Sequence, residues 1–287
     1  MAVYFFDTLT EYSDWVKNKK KKTVGLVPTM GNLHNAHLSL LKKSIKENDI
    51  SVITIFVNPK QFGPKDDFQK YPRTLESDIA KISDLAAKMK LTKNKHVVIF
   101  SPEESVIYPK NFMTTISISP LNSIIEGKSR PGHFDGVCTV VYRLFTLFKP
   151  NIAYFGEKDY QQLTIIKKMV EDLALPIKIS PIPIGREKSG LAMSSRNQYL
   201  NSDEKIQALK LRNSLVELKD YLLKNHYEKT VQHSQKLVKA DPRFNYLEIR
   251  DAVTLMPPEK NCKNFVILGV YQINQTRLLD NITVRIK

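Results

Sequence analysis

Cysteine is scarce in this 287-residue chain: Cys138 and Cys262 stand far apart, without companion spacing. That excludes a disulfide framework, and the two read as reduced, buried thiols of a cytosolic protein. Long apolar runs are missing as well. None reaches the ~20 residues a helix needs to span a bilayer, so no membrane partner is expected. The opening stretch, MAVYFFDTLTEYSDW, has no basic segment followed by an apolar one, and no secretion signal is read there. Neither an internal repeat nor a Ser-His-Asp or reactive-cysteine arrangement is evident.

Acidic residues are also in short supply. Lysine and arginine number 44 against 29 acids, a formal charge of +15. A strongly basic chain can bind nucleic acid, or it can handle small anions. The excess is mostly lysine scattered over expected helix faces, with one run at Lys19, Lys20, Lys21 and Lys22. The arginine-rich stripe with interleaved aromatics that single-strand binders use is absent, so a solvated lysine surface and no nucleic-acid partner are expected.

What is present alternates between two periods. Thr23 to Pro28 is a short apolar run ending in a turn. Ala36, Leu38, Leu40, Leu41 and Ile45 then mark a helical stripe over residues 35–47, and Ile50 to Val57 is almost continuously β-branched or apolar. A strand, helix and strand within about 35 residues fit a right-handed crossover with buried parallel strands. The pattern continues with a helix over 75–89 and a strand over 97–100. A long apolar helix over 134–148 follows, then a strand over 152–155, a helix over 160–173 and a strand over 177–180. The expected fold class is α/β, a Rossmann-like doubly wound parallel sheet over residues 1–184. After Gly185 the character changes. Ser202 is expected to cap a helix reaching Asn225, a second helix covers 230–240, and strands follow at 246–250, 265–270 and 277–286. A smaller C-terminal α+β domain is therefore expected over 185–287.

Four segments carry chemistry. In the first, Met30-Gly31-Asn32-Leu33-His34-Asn35-Ala36-His37 joins a strand to a helix, where free backbone N–H groups and a partial positive charge suit a phosphate. His34 and His37, three apart, project from one helix face and can donate to oxygens that gain charge during displacement at phosphorus. Zinc would require three or four ligands, and no third His or Cys lies nearby in sequence. The second segment, Asn58-Pro59-Lys60-Gln61-Phe62-Gly63-Pro64 with Asp66, Asp67 and Phe68 beyond, is a rim loop whose Gln61 amide both donates and accepts. The third, Gly156-Glu157-Lys158-Asp159, repeats the strand–glycine–helix junction. Lys158 there supplies a point charge for phosphate, and Asp159 could orient ribose hydroxyls or the lysine itself. The fourth, from Gly185 and Arg186 to Met193-Ser194-Ser195-Arg196-Asn197, places two hydroxyls and a guanidinium where they can grip phosphates. Arg130 and His133 are open between substrate binding and a structural part at a helix start.

The run VPTMGNLHNAHLSLL resembles the first motif of the pantothenate synthetase family. Its H-x-x-H core is similar to the HIGH-type signature of nucleotidyltransferases and class I synthetases, and the Leu191-to-Asn197 stretch resembles their KMSKS-type loop. The match extends over most of residues 23–200. It implies ATP as a substrate bound by Met30 to His37, Gly156 to Asp159, Gly185 and Met193 to Arg196. It also implies pantoate held by Asn58, Gln61 and Gln162, with His34, His37, Lys158 and Arg196 catalytic. β-Alanine would be the acceptor, and the product pantothenate would form through an acyl adenylate in a homodimeric cytoplasmic enzyme. Mg²⁺ would escort ATP, with Asp78 as its candidate ligand. Two departures stand out: Ala36 replaces a family glycine, and Ser189 replaces a family aspartate.

Overall fold

A computed structural model describes residues 3–17, 19, 22–64 and 68–286. Met1, Ala2, Lys20, Lys21, Asp66 and Asp67, which enter the readings above, lie outside the described residues. The chain divides into two compact units, Met1–Gly156 with Ile165–Ile182, and Glu157–Thr164 with Pro183–Lys287.

The first unit is built on strands β1 (Val3–Phe6), β2 (Val24–Thr29), β3 (Ile50–Ile55), β4 (His96–Phe100), β5 (Ile152–Gly156) and β6 (Lys178–Ile182). They form one parallel sheet in the order β1-β4-β3-β2-β5-β6. Every residue of β3 from Ile50 to Thr54 is buried, which is why its apolar run does not alternate with polar residues. The flanking helices are α1 (Leu9–Lys17), α2 (Asn35–Glu47), α3 (Leu75–Lys88), two single turns α4 (Glu104–Ile107) and α5 (Glu126–Ser129), α6 (His133–Phe148) and α7 (Tyr160–Asp172), of which residues 165–172 belong to this unit. Period-two side-chain alternation sends β4 to both faces. Val97 and Ile99 join a core with Leu41 of α2 and Ile82 of α3, whereas Phe100 meets Phe148 of α6, which in turn meets Tyr12 of α1.

Strand order reverses at β2, with β3 and β4 to one side and β5 and β6 to the other. The carboxyl ends of β2 and β5 therefore flank a topological switch point, where open α/β sheets collect their ligands. No strand was expected at β1, yet it pairs with β4 at the sheet edge, residue for residue from Val3↔Val97 to Phe6↔Phe100.

The second unit holds α8 (Ser202–Lys224), α9 (Tyr227–Ala240) and strands β7 (Phe244–Asp251), β8 (Asn264–Ile273) and β9 (Thr276–Arg285), an antiparallel sheet in the order β7-β8-β9. Leu211, Leu215, Leu218 and Leu222 recur at helical spacing and share a core with Ile267 and Tyr271 of β8. Each buried leucine contributes about 1.5–3 kcal/mol. The cap of α8 is Asn201 rather than Ser202. Its side chain accepts from the Glu204 N–H at 2.9 Å, and the Glu204 carboxylate accepts from the Asn201 N–H at 2.8 Å. Only Asn201 has an acid three residues on, as a capping box requires. Among the described residues no helix is long and apolar enough to cross a membrane.

Candidate active site

In the first unit the site is assembled around the turn from β2 to α2. Gly31 (φ 81°) and Asn32 (φ 49°) are consecutive left-handed residues, a tight reversal that delivers His34 to the cap of α2. A Cβ on Gly31 would lie 3.0 Å from Ile55 Cγ2 and 3.1 Å from Asp78 Oδ2, so glycine is demanded by space as well as by φ. Three groups of α3 and its cap hold the reversal. The wholly buried Asp78 accepts from the Asn32 N–H at 2.8 Å and from the Leu33 N–H at 2.7 Å, Thr74 donates to it at 3.2 Å, and Lys81 donates to the Leu33 carbonyl at 2.8 Å.

His34 and His37 stand together, their rings stacked with centroids 4.0 Å apart. His37 Nδ1 accepts the His34 backbone N–H at 3.3 Å. In the neutral ring the proton therefore sits on Nε2, leaving that nitrogen a donor. Asn35 and Ala36 open the first turn of α2, Asn35 exposed and Ala36 half-buried. This N-terminus carries no acid in its first turn, so its partial positive charge is not offset locally.

The rim loop comes to the same place. Gln61 Nε2 lies 3.0 Å from Met30 Sδ, so the second and first segments are neighbours although 31 residues separate them. Asn58 caps the single 3₁₀ turn Pro59–Gln61 and is 1% exposed. It donates to Gln61 Oε1 at 3.0 Å and to the Gly136 carbonyl at 3.1 Å. At Gly136 a Cβ would lie 2.2 Å from the Lys60 carbonyl oxygen and 2.6 Å from Gln61 Cα, so this glycine lets α6 close onto the loop. Behind it, His133 Nδ1 meets the Gln61 carbonyl at 2.8 Å. Gly156 ends β5 in the same unit.

In the second unit, Asn281 of β9 donates to the carbonyls of both Glu157 and Lys158 at 2.8 Å. The Tyr160 hydroxyl donates to the Ala252 carbonyl, also at 2.8 Å. Lys158 is half-buried and pairs with Asp159 at 3.2 Å, and Gln162 is half-buried on α7. The loop from Gly185 to Arg196 is a hairpin. Arg186 bridges to Ala192, the Met193 N–H meets the Gly185 carbonyl at 2.9 Å, and Gly190 turns with φ 94°. Arg186 grips the buried Asp280 with two bonds of 2.7 and 2.9 Å. Buried Asn197 ties Glu187 to the Ala192 carbonyl. The Ser194 hydroxyl caps the 3₁₀ turn Ser195–Tyr199 by accepting the Arg196 N–H. At the Ser189 departure the Leu191 N–H reaches the hydroxyl at 3.4 Å.

The predicted residues thus fall into two sets. Met30 to His37, Asn58, Gln61 and Gly156 belong to the first unit, and Glu157 to Asp159, Gln162, Gly185 and Met193 to Arg196 to the second. Asp78 lies with the first set. Its oxygens are engaged by two backbone N–H groups and Thr74 and it is 0% exposed, which suits a clamp on the turn better than a metal ligand. Sequence reasoning missed the Asp78 clamp, Asn281 and the Asp280–Arg186 pair, because each acts on a partner at least 45 residues away. Of the lysine run, Lys19 packs its ammonium 3.9 Å over Trp15, and Lys22 lies 3.9 Å from Asp49.

The chain as a whole is similar to known proteins. The family described as pantoate-beta-alanine ligase matches residues 4–283. A pantothenate synthetase of Caldicellulosiruptor saccharolyticus is 45% identical, covering 96% of this chain and 97% of its own. That of Aquifex aeolicus is 41% identical with the same coverage. The crystal structure of the Thermus thermophilus enzyme superposes with a TM-score of 0.87 at 36% identity, covering 97% of this chain and 98% of that one. A Francisella tularensis pantoate-beta-alanine ligase, complexed with beta-gamma ATP and beta-alanine, gives 0.74 at 35% identity, with 98% and 97% covered.

Proposed function

The chain belongs to the pantoate-beta-alanine ligase family, and from that premise we propose that it joins pantoate to β-alanine through a pantoyl adenylate. A carboxylate cannot be displaced by an amine directly, because oxide is not a viable leaving group. In the first step a pantoate carboxylate oxygen attacks the α-phosphorus of ATP, and the bond to the bridging oxygen breaks to release pyrophosphate. In the second step the β-alanine amine attacks the activated carbonyl, the amine proton passes to solvent, and AMP departs with the carboxylate oxygen.

No covalent enzyme nucleophile is needed, so the chain's contribution is positioning and charge stabilisation. The observation that carries this reading is the pair of histidines at the N-terminus of α2. One of them, His37, has its tautomer set so that Nε2 carries the proton, and the Gln61 amide meets Met30 of the same segment. In this account His34 and His37 donate to phosphate oxygens, Lys158 and Arg196 balance the charge leaving with pyrophosphate, and Ser194 and Ser195 grip the terminal phosphates. Met30 to Ala36, Gly156, Glu157, Asp159, Gly185 and Met193 line the nucleotide, while Asn58, Gln61 and Gln162 hold pantoate. Residues 185–287 carry the serine–arginine loop, Ser194 to Arg196. Asp78 acts as a positioning residue that shapes the phosphate turn. Mg²⁺ would arrive on the nucleotide and offset part of the phosphate charge there.

The assay supplies Mg-ATP, pantoate and β-alanine, omits each in turn, and follows pantothenate, AMP and ADP by mass spectrometry. Pantothenate with equimolar AMP supports the proposal, and ADP in place of AMP overturns it. A homodimer is part of the proposal and is read by light scattering.

A further inference from the structure

Gln61 is held by two separate relays, one reaching its side-chain amide and the other its backbone carbonyl. Asn58 lies between two backbone groups of fixed polarity. Its Oδ1 receives the Lys60 N–H at 3.3 Å, and its Nδ2 faces the acceptor-only Gly136 carbonyl at 3.1 Å. Those contacts exclude the flipped amide. With Oδ1 pointing that way, the hydroxyl of Tyr108, 2.7 Å from it, must be the donor. Burial pushes the Tyr108 phenol well above its ordinary pKa, so the proton stays in place. The Asn58 Nδ2–H then meets Gln61 Oε1 at 3.0 Å, and Gln61 is left offering only N–H at its other end, where Met30 Sδ stands 3.0 Å away.

The second relay holds the Gln61 backbone. A guanidinium has no acceptor, so the 3.0 Å contact between Arg130 Nη1 and His133 makes Nε2 of the ring the acceptor. The proton must then sit on Nδ1, which donates to the Gln61 carbonyl at 2.8 Å. Main chain and side chain of one residue are thus each held by its own relay.

We infer that Tyr108 is a positioning residue for pantoate: Lys60 and Gly136 set which way the Asn58 amide points, the Tyr108 hydroxyl holds it there with the shortest of its bonds, and Asn58 in turn keeps the Gln61 N–H toward the substrate, selecting an oxygen that accepts. A carboxylate or hydroxyl oxygen satisfies that face. This inference rests on the reading of Gln61 as a pantoate contact. Tyr108 never touches substrate in this scheme, and its effect passes entirely through Asn58 and Gln61.

The test is Tyr108→Phe, which keeps the ring and deletes one donor. The expected result is a KM for pantoate raised about tenfold, equivalent to about 1.4 kcal/mol. The KM values for ATP and β-alanine should stay within about twofold, with thermal unfolding near wild type. The same substitution is then made in a Gln61→Ala background, where no amide remains to orient, and kcat/KM for pantoate should change less than about twofold. An unchanged pantoate KM in Tyr108→Phe overturns the inference. So does an equal loss in both backgrounds, or a parallel rise in all three KM values, since those mark a packing role. A wild-type chain that does not consume pantoate would remove the substrate reading itself, and this inference with it.

Discussion

Asp78 offers a sharp perturbation, because two roles for it predict opposite results in two assays. Its carboxylate accepts from Asn32 and Leu33 while Thr74 donates to the Oδ2 side. In Asp78→Asn the amide keeps one oxygen, which serves Leu33, and its NH₂ turns toward the Thr74 hydroxyl. The Asn32 N–H then faces a donor. Losing a hydrogen bond to a charged acceptor costs about 1.5–3 kcal/mol, and stranding a buried donor costs about 1–3 kcal/mol, partly the same energy counted twice. A net loss of about 2–4 kcal/mol is expected, a large part of the about 5–15 kcal/mol that holds a domain together. The stranded residue is also the left-handed one, φ 49°, so the turn that delivers His34 and His37 relaxes with it. Misplacing reacting groups by an ångström costs on the order of 100-fold, so kcat should fall about 10- to 100-fold. Urea denaturation reads the first effect, and initial rates of pantothenate formation over a Mg²⁺ titration read the second. The clamp predicts lost stability and an unchanged Mg²⁺ midpoint. Unchanged stability with a tenfold higher Mg²⁺ requirement would refute the clamp and restore Asp78 as a metal ligand.

Two further outcomes follow from the same geometry. His37→Ala should lower kcat about 10²–10³-fold, the range for losing one preorganised donor to developing charge. Steady-state rates at saturating substrates check this, and wild-type turnover would remove His37 from the mechanism. Asp241 tests the second unit: its bond to the Arg243 guanidinium holds its carboxyl down to about 2, with help from the Tyr271 hydroxyl. A carboxyl depressed in the folded state adds stability above its unfolded value near 3.8 and loses it as pH falls toward 2. Asp241→Asn should therefore lower the Tm at pH 7, with the gap to wild type closing between about pH 4 and pH 2. A gap independent of pH would contradict the ion pair as its source.

Much of this protein is legible from periodicity and turn chemistry, because the informative partners are neighbours in sequence. The stretch from Thr23 to Val57 announces a buried strand, an amphipathic helix and a second buried strand, and they pair in parallel at β2 and β3. The histidine pair is visible for the same reason, since i and i+3 share a helix face. Other features escape local reading. The strand Val3–Phe6 carries no helix-and-strand context of its own and gains its identity by pairing with β4, about 90 residues away. The Asp78 clamp joins residues 45 and 46 apart, and the Tyr108–Asn58 bond spans 50. Asn201 and Ser202 are both good caps, and only the Glu204 carboxylate decides between them. Lys158 shows the limit from another side. A strand–glycine–helix junction marks it, yet residues 157–164 group with the second unit through contacts such as the one to Asn281.

The claim on which all the residue roles depend is that pantoate's own carboxylate attacks the α-phosphorus. Pantoate labelled with ¹⁸O in both carboxylate oxygens, incubated with Mg-ATP and β-alanine, tests it in one mass spectrum. The account predicts AMP carrying one ¹⁸O and pyrophosphate carrying none. Label in inorganic phosphate with ADP as co-product, or AMP free of label, would contradict it.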